Sequence, residues 1–281
     1  MFKSVGDNVW AFDLEWVPDP RAGRRVYNLP PDMPDADVLR EMWSRGGATE
    51  EEPRPYLKIV LCRVVSAAVV IRKKIPGGKV ALDLRSLPRN PDEPMTESQL
   101  LTDFLQALGK AKPQLVGFNS TDADVPILVQ RGIAAGITAP AFCKRPDKPW
   151  EGPDYFYRYG EAHLDLKDIV GGWGKGTPSL HELAQAAGIP GKMGTDGSTV
   201  IDLWLAGKVR EIVEYNQFDA LTTYLVWLRT AHFAGLFSTD EYHEEEERLK
   251  QLLRDRISRG EGHFQPYLER WESLNRAGNL N

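Results

Sequence analysis

The run Asn8 to Trp16, NVWAFDLEW, is apolar enough to read as a buried strand, yet it carries two carboxylates, Asp13 and Glu15. In a strand, residues i and i+2 share a face, so these two groups point the same way a few ångströms apart. Two like charges at about 4 Å repel by roughly 4 kcal/mol at an effective dielectric near 20, and something in the folded protein must offset that. A D-x-E on a solvated edge strand is the plain alternative. The flanking Val9, Phe12, Leu14 and Trp16 favour burial.

The rest of the chain shows where such a strand belongs. Val17 to Pro55 is rich in proline, glycine and both charge signs, with one helix-like piece, DADVLREMWS. A stretch this long between strands is more often a functional flap than a plain connection. Leu57–Lys73 is too β-branched for a good helix and reads as one long strand or two meeting at a bend. After the turn at Pro76–Gly78, KVALDLRSL returns as a strand, which completes an antiparallel meander.

Helices then enter. Thr96–Leu108 has a capping box of Thr96 and Gln99, with Gly109 as a stop. Leu115–Phe118 is a short central strand, and a helix opens at Asp124 with Pro126 in its first turn. His163–Leu166 is a further strand, and Ser179–Ala187 a helix capped by Ser179 and Glu182. From Lys208 to His232, Val209, Ile212, Val213, Ala220, Leu221, Tyr224, Leu225 and Leu228 fall on one 3.6-residue stripe. Strands first, then alternating strands and helices, predict an α/β mixed sheet with helices on both faces. The sequence divides into a domain over 1–238 and a helical extension over 239–281, whose run Glu244–Glu247 reads as a solvated helix face.

Two further places hold polar groups near the predicted core. Asp124 follows an apolar strand and occupies a position where aspartate commonly caps a helix; Asp122 competes for any role assigned there. Tyr215 and Asp219 are i, i+4 on the long helix, one above the other beside its apolar stripe. Either pattern alone is common by chance.

In this order, Phe12-Asp13-Leu14-Glu15, the Asn119-to-Pro126 segment and Tyr215-to-Asp219 resemble the three motifs of the DEDD superfamily of 3′–5′ exonucleases. These share a ribonuclease-H-like fold. The segments HLDLKDIV, SLHELAQAAGIPGKMGTDGSTV and EYNQFDALTTYLVWLR look like the predicted exonucleases related to the proofreading domain of family B DNA polymerases. The likeness spans roughly Val9 to Arg229. The third motif is of the tyrosine form, Y-x-x-x-D. The chain departs from the family at Ala123, where an aromatic residue is usual, and at Trp16, where smaller residues are common.

The resemblance implies two divalent cations, Mg²⁺ or Mn²⁺, with Asp13 shared between them, Glu15 and Asp219 completing one shell and Asp124 serving the other. Hard cations of this kind favour carboxylate oxygens, and a pair of them suits in-line phosphodiester hydrolysis. Tyr215 would orient the attacking water, because a phenol with a pKa near 10 is a poor base at neutral pH. The implied substrate is a single-stranded DNA 3′ end, cut to nucleoside monophosphates. Leu14, Trp16, Phe118 and Asn119 would lie near the terminal nucleotide and Lys192 near its phosphates, although Leu14 and Phe118 read equally well as core. An exoribonuclease trimming RNA 3′ ends, or an idle nucleic-acid-binding scaffold of the same fold, are the alternatives. The insert over 17–55 or the C-terminal helix would serve a protein partner or self-association.

Composition narrows the remaining classes. A net charge of −5 argues against a passive coat held to nucleic acid by a basic field. Two cysteines exclude a disulfide framework, so a reducing, cytoplasmic setting is expected, and no apolar run suits a membrane span. GIPGKMG lacks P-loop spacing, the histidines lack zinc-like spacing, and His163 and Asp165 read as structural, with Asp165 a reserve ligand.

Overall fold

In a computed structural model of the chain, which describes residues 1–171, 176–194 and 199–278, the first strand is the centre of the molecule. β1 (Asn8–Pro18) pairs antiparallel with β2 (Cys62–Lys74), and β2 with β3 (Val80–Leu87). On its other side β1 runs parallel to β4 (Gln114–Gly117), and β4 to β5 (His163–Asp165). The order β3-β2-β1-β4-β5 is the expected ribonuclease-H-like mixed sheet, a meander followed by parallel strands.

Strand alternation sorts β1 between two cores. Trp10, Phe12 and Leu14 enter one with α2 (Asp35–Arg45), α3 (Glu97–Ala111) and α4 (Asp124–Ala135). Val9 and Ala11 face the other, built on α9 (Val209–Phe233). Asp13 and Glu15 continue this second row. A bulge follows Glu15, whose partner is Ser66, whereas the partner of Trp16 is Val64. The extra residue, Val65, turns into a small cluster with Val17, Val200 and Tyr215, so the irregularity that ends regular pairing also seats the tyrosine.

The 17–55 segment is more helical than its composition suggests. Besides α2 it forms α1 (Pro20–Tyr27), opened by Asp19, whose carboxylate accepts from the Arg21 N–H. Pro20 at the first position and the Asp19 cap carry the start signal, which the surrounding prolines obscured. Asp19 also pairs with buried Arg131 of α4 at 2.6 Å, and the same guanidinium reaches Glu97 of α3 at 2.7 Å, which fastens the segment to the core. The expected strand from Leu57 begins only at Cys62, after a 3₁₀ turn over Ile59–Leu61. Gly109 does not stop α3. A Cβ there would lie 2.5 Å from that of Ala141 in α5 (Pro140–Cys143), so this glycine serves close helix approach, and Lys112 at φ 45° ends the helix instead.

Short helices α6 (Leu166–Gly171), α7 (Leu180–Ala186) and α8 (Val200–Leu205) precede α9. α7 carries the expected Ser179–Glu182 capping box. α9 is not the one-sided amphipathic helix that its stripe suggests: Thr222, Thr223, Val226 and Trp227 are buried as well. The cause is α10 (Thr239–Ser258) and α11 (Phe264–Gly278), which cover the face turned away from the sheet with Leu249, Leu253, Tyr267 and Trp271.

The acidic run on α10 is likewise only half solvated. Glu244 and Glu247 are exposed, but Glu245 and Glu246 are buried. Glu245 accepts from Arg72 of β2 at 2.6 and 2.9 Å and from the Tyr224 hydroxyl at 2.8 Å. Glu245→Leu would leave the Arg72 guanidinium buried without its partner and should cost about 3–5 kcal/mol in urea unfolding. Adding Arg72→Met should recover most of that loss, and failure to recover it would show that packing, not the charge, sets the cost.

Candidate active site

Asp13 and Glu15 lie on the α9 face of β1, and the Tyr215 turn of α9 crosses that face. One carboxylate oxygen from each of Asp13, Glu15 and Asp219 lies within 4.8 Å of the others. Three residues separated by up to 206 positions thus meet as one acidic group, a donor set suited to a hard divalent cation. No described lysine or arginine forms an ion pair with any of the three. Burial, and then mutual repulsion with Asp124 and Asp219, pushes the Asp13 and Glu15 carboxyls well above their ordinary range. Asp219 is pushed up to about 6, chiefly by burial, against an opposing hydrogen bond from the Tyr215 hydroxyl. Such unneutralised crowding is what a bound cation relieves, so the residues fit the ion.

Asp124 stands beside the triad and not within it. It is the first residue of α4, where the cap position falls to Ala123, so it is not the helix cap that its sequence position suggested. Its Oδ1 instead accepts the Leu14 N–H at 3.1 Å, which fastens the α4 start to β1 between the two other acids. Burial raises it to about 7. Asp122 is exposed.

The loop that delivers Asp124 is clamped from below. Asp165, at the end of β5, accepts the backbone N–H groups of Asn119, Thr121 and Lys167 at 2.8–2.9 Å. With three backbone donors its carboxylate is committed to shaping the turn. His163, pushed down to about 4 by burial, stays neutral and meets the Ser120 hydroxyl at 2.8 Å. Gly117 makes room for this, since a Cβ there would fall 2.3 Å from Ser120 Oγ. Asn119 adopts φ 63°, a left-handed conformation that asparagine tolerates, and its Oδ1 accepts from Lys167 at 2.7 Å.

The other expected contact residues take different positions. Leu14 is buried in the core on the far side of the sheet, Trp16 packs against that same core, and Phe118 is half-buried against the α9 core. Lys192 is exposed in the glycine-containing loop after α7, and its charge reaches both Glu15 and Asp219. Residues 195–198 of that run lie outside the described residues.

Sequence reasoning missed Asn216. Fully buried on α9, its Nδ2 donates to Asp13 at 2.6 Å and its Oδ1 accepts from Ser66 of β2 at 2.9 Å. The signal was present as an amide next to Tyr215 on an otherwise buried helix, a position that demands hydrogen-bond partners.

With this geometry established, comparison with known proteins assigns the chain. It belongs to the family of predicted 3′–5′ exonucleases related to the exonuclease domain of PolB, whose profile matches residues 54–271. That span holds Asp124, Tyr215 and Asp219; β1 with Asp13 and Glu15 precedes it. A comparison with curated proteins gives no match. Among solved structures, the family B DNA polymerase from the hyperthermophilic archaeon Pyrobaculum calidifontis is similar at 18 % identity and a TM-score of 0.46. The similarity covers 90 % of this chain but only 29 % of the polymerase, so this chain spans less than a third of that protein's length.

Proposed function

We propose that this protein is a metal-dependent 3′–5′ exonuclease that hydrolyses the terminal phosphodiester of single-stranded DNA and releases nucleoside monophosphates. The observation that carries the reading is the convergence of Asp13, Glu15 and Asp219 within 4.8 Å, with Asp124 close enough for its charge to act on the first two. Bound here, two divalent cations would supply an activated water at neutral pH and stabilise the charge that builds on the phosphate and the leaving oxygen. Asp13, Glu15 and Asp219 would hold one ion, and Asp13 with Asp124 the other.

The protein's own groups account for the rest. Tyr215 keeps its proton, because burial and the neighbouring carboxylates push its phenol far above the ordinary value. Its hydroxyl is therefore not a base that deprotonates a water; with its proton directed to Asp219, its oxygen would orient one by accepting a hydrogen bond. Asn216 fixes the Asp13 carboxylate from behind. Lys192, exposed and with its charge acting on Glu15 and Asp219, would meet substrate phosphate as a flexible point charge.

A 5′-labelled single strand should give a descending ladder with Mn²⁺, and a blocked 3′ terminus should protect it. Cleavage of a circular strand, or a matched RNA degraded in preference to DNA, would overturn the polarity or the substrate assignment respectively. Among the described residues no helix is long and apolar enough to cross a membrane.

A further inference from the structure

The connection between α5 and β5 is built unlike the other loops. Within ten residues it presents Trp150, Phe156, Tyr157 and Tyr159, at 78, 37, 50 and 80 % exposure. Tyr155 anchors it, stacked on Phe142 at 5.7 Å and donating its hydroxyl to the Pro113 carbonyl at 2.9 Å, and Phe156 leans on the same Phe142 ring at 5.1 Å. Tyr157 and Tyr159 meet edge to face at 6.1 Å, and the Lys148 ammonium lies 5.4 Å over the Trp150 ring. So many exposed rings together ask for a partner.

The charges say which kind. Lys144, Arg145, Lys148 and Arg158 are balanced by Asp147, Glu151, Asp154 and Glu161 in the same stretch. A surface of zero net charge does not hold a membrane or a duplex, which present mainly phosphate. Aromatic plates with interspersed cations suit unstacked bases, which only a single strand offers. Arg158 is loosely paired, 3.3 Å from Asp168 with both groups well exposed, and can exchange that carboxylate for a phosphate.

Position connects this surface to the acidic site. Phe156, Arg158 and Tyr159 line a cleft of about 770 Å³ together with Thr121, Val125 and Pro126, the loop and first turn that carry Asp124. A strand with its last phosphodiester at the carboxylates would pass this turn into the cleft.

We propose that the 144–162 loop is a strand-guiding subsite, in which Trp150, Tyr157 and Tyr159 stack bases several nucleotides upstream of the 3′ end. This rests on the exonuclease reading above. It is tested with fluorescent DNA single strands of about 4 and about 16 nucleotides, the range over which single-strand sites extend, bound in Ca²⁺ to prevent turnover. In the native protein the longer strand should bind more tightly, and this gain should fall only weakly with salt, since stacking and not ion release provides it. Tyr157→Ala with Tyr159→Ala should cost the long strand about tenfold in affinity and remove most of its advantage over the short one. Strands bearing 5-bromouracil upstream of the terminus should crosslink on irradiation to the peptide holding residues 150–159.

Equal loss for both lengths, no loss for either, or crosslinks confined to other peptides would overturn the proposal. If the native protein trims labelled strands yet gains nothing from length, only this subsite falls. If it neither trims nor binds a strand of either length, the exonuclease reading falls and the subsite with it.

Discussion

Asp13→Ala is expected to lower Mn²⁺-dependent turnover on a 5′-labelled strand by roughly 10³-fold or more and to abolish the rise in melting temperature that Mn²⁺ gives the native protein. Asp13 is the hub of the acidic group: Glu15, Asp124 and Asp219 each act on it, and Asn216 donates to it at 2.6 Å. Removing it takes a ligand from both proposed ion positions, and the charge stabilisation that such ions give a phosphoryl transition state is several kcal/mol. Alanine also strands the Asn216 amide, so Asp13→Asn is the necessary companion, keeping size and polarity while removing the charge. Both variants should lose turnover together, and both should lose the Mn²⁺ shift in differential scanning calorimetry. Turnover within about tenfold of native in either one would show that the carboxylate does not hold a catalytic ion.

Much of the fold was legible because the chain's periods change where its architecture changes. Alternation along Val9 to Glu15 separated two cores and placed both acids on one face, and the capping boxes at Thr96 and Ser179 marked true helix starts. What escaped was information that depends on other segments. Nothing near Gly109 announces that Ala141 will press against it, and nothing in Glu244–Glu247 tells which carboxylates Arg72 and Tyr224 will draw inward. The stripe on α9 counted apolar residues, but helices near the C-terminus buried its polar ones as well. At the site, the ordered motifs singled out Asp13, Glu15 and Asp219, which the fold brings together, whereas the local pattern around Asp124 suggested a cap and held no sign of its long-range bond to the Leu14 N–H. Asn216 was invisible for a similar reason, since its two partners come from β1 and β2.

Crowding of these acids should also make the metal-free protein less stable as pH rises, a direction opposite to ordinary acid denaturation. In the folded chain Asp124 is raised from 3.8 to about 7 and Asp219 from 3.8 to about 6, with Asp13 and Glu15 displaced the same way. A carboxyl with a raised folded value keeps its proton where the unfolded chain has already lost it. The native state then binds more protons between about pH 4 and about pH 7, and stability falls across that window by several kcal/mol for the group. His163 works against this: lowered from 6.5 to about 4, it makes stability rise over part of the same range. The two effects separate in Glu15→Gln, which leaves His163 and the Asn216–Asp13 bond in place but removes one repelling charge. In chelator, that variant should melt higher than the native protein at about pH 8 and nearly together with it at about pH 4, where the native acids are protonated. Mn²⁺ should reverse the ranking at the higher pH, because the native carboxylates then gain a counter-charge that the variant binds less well. A native protein that matches Glu15→Gln in chelator across the whole range would mean that the four acids do not repel one another in solution, and the acidic cup would lose its physical basis.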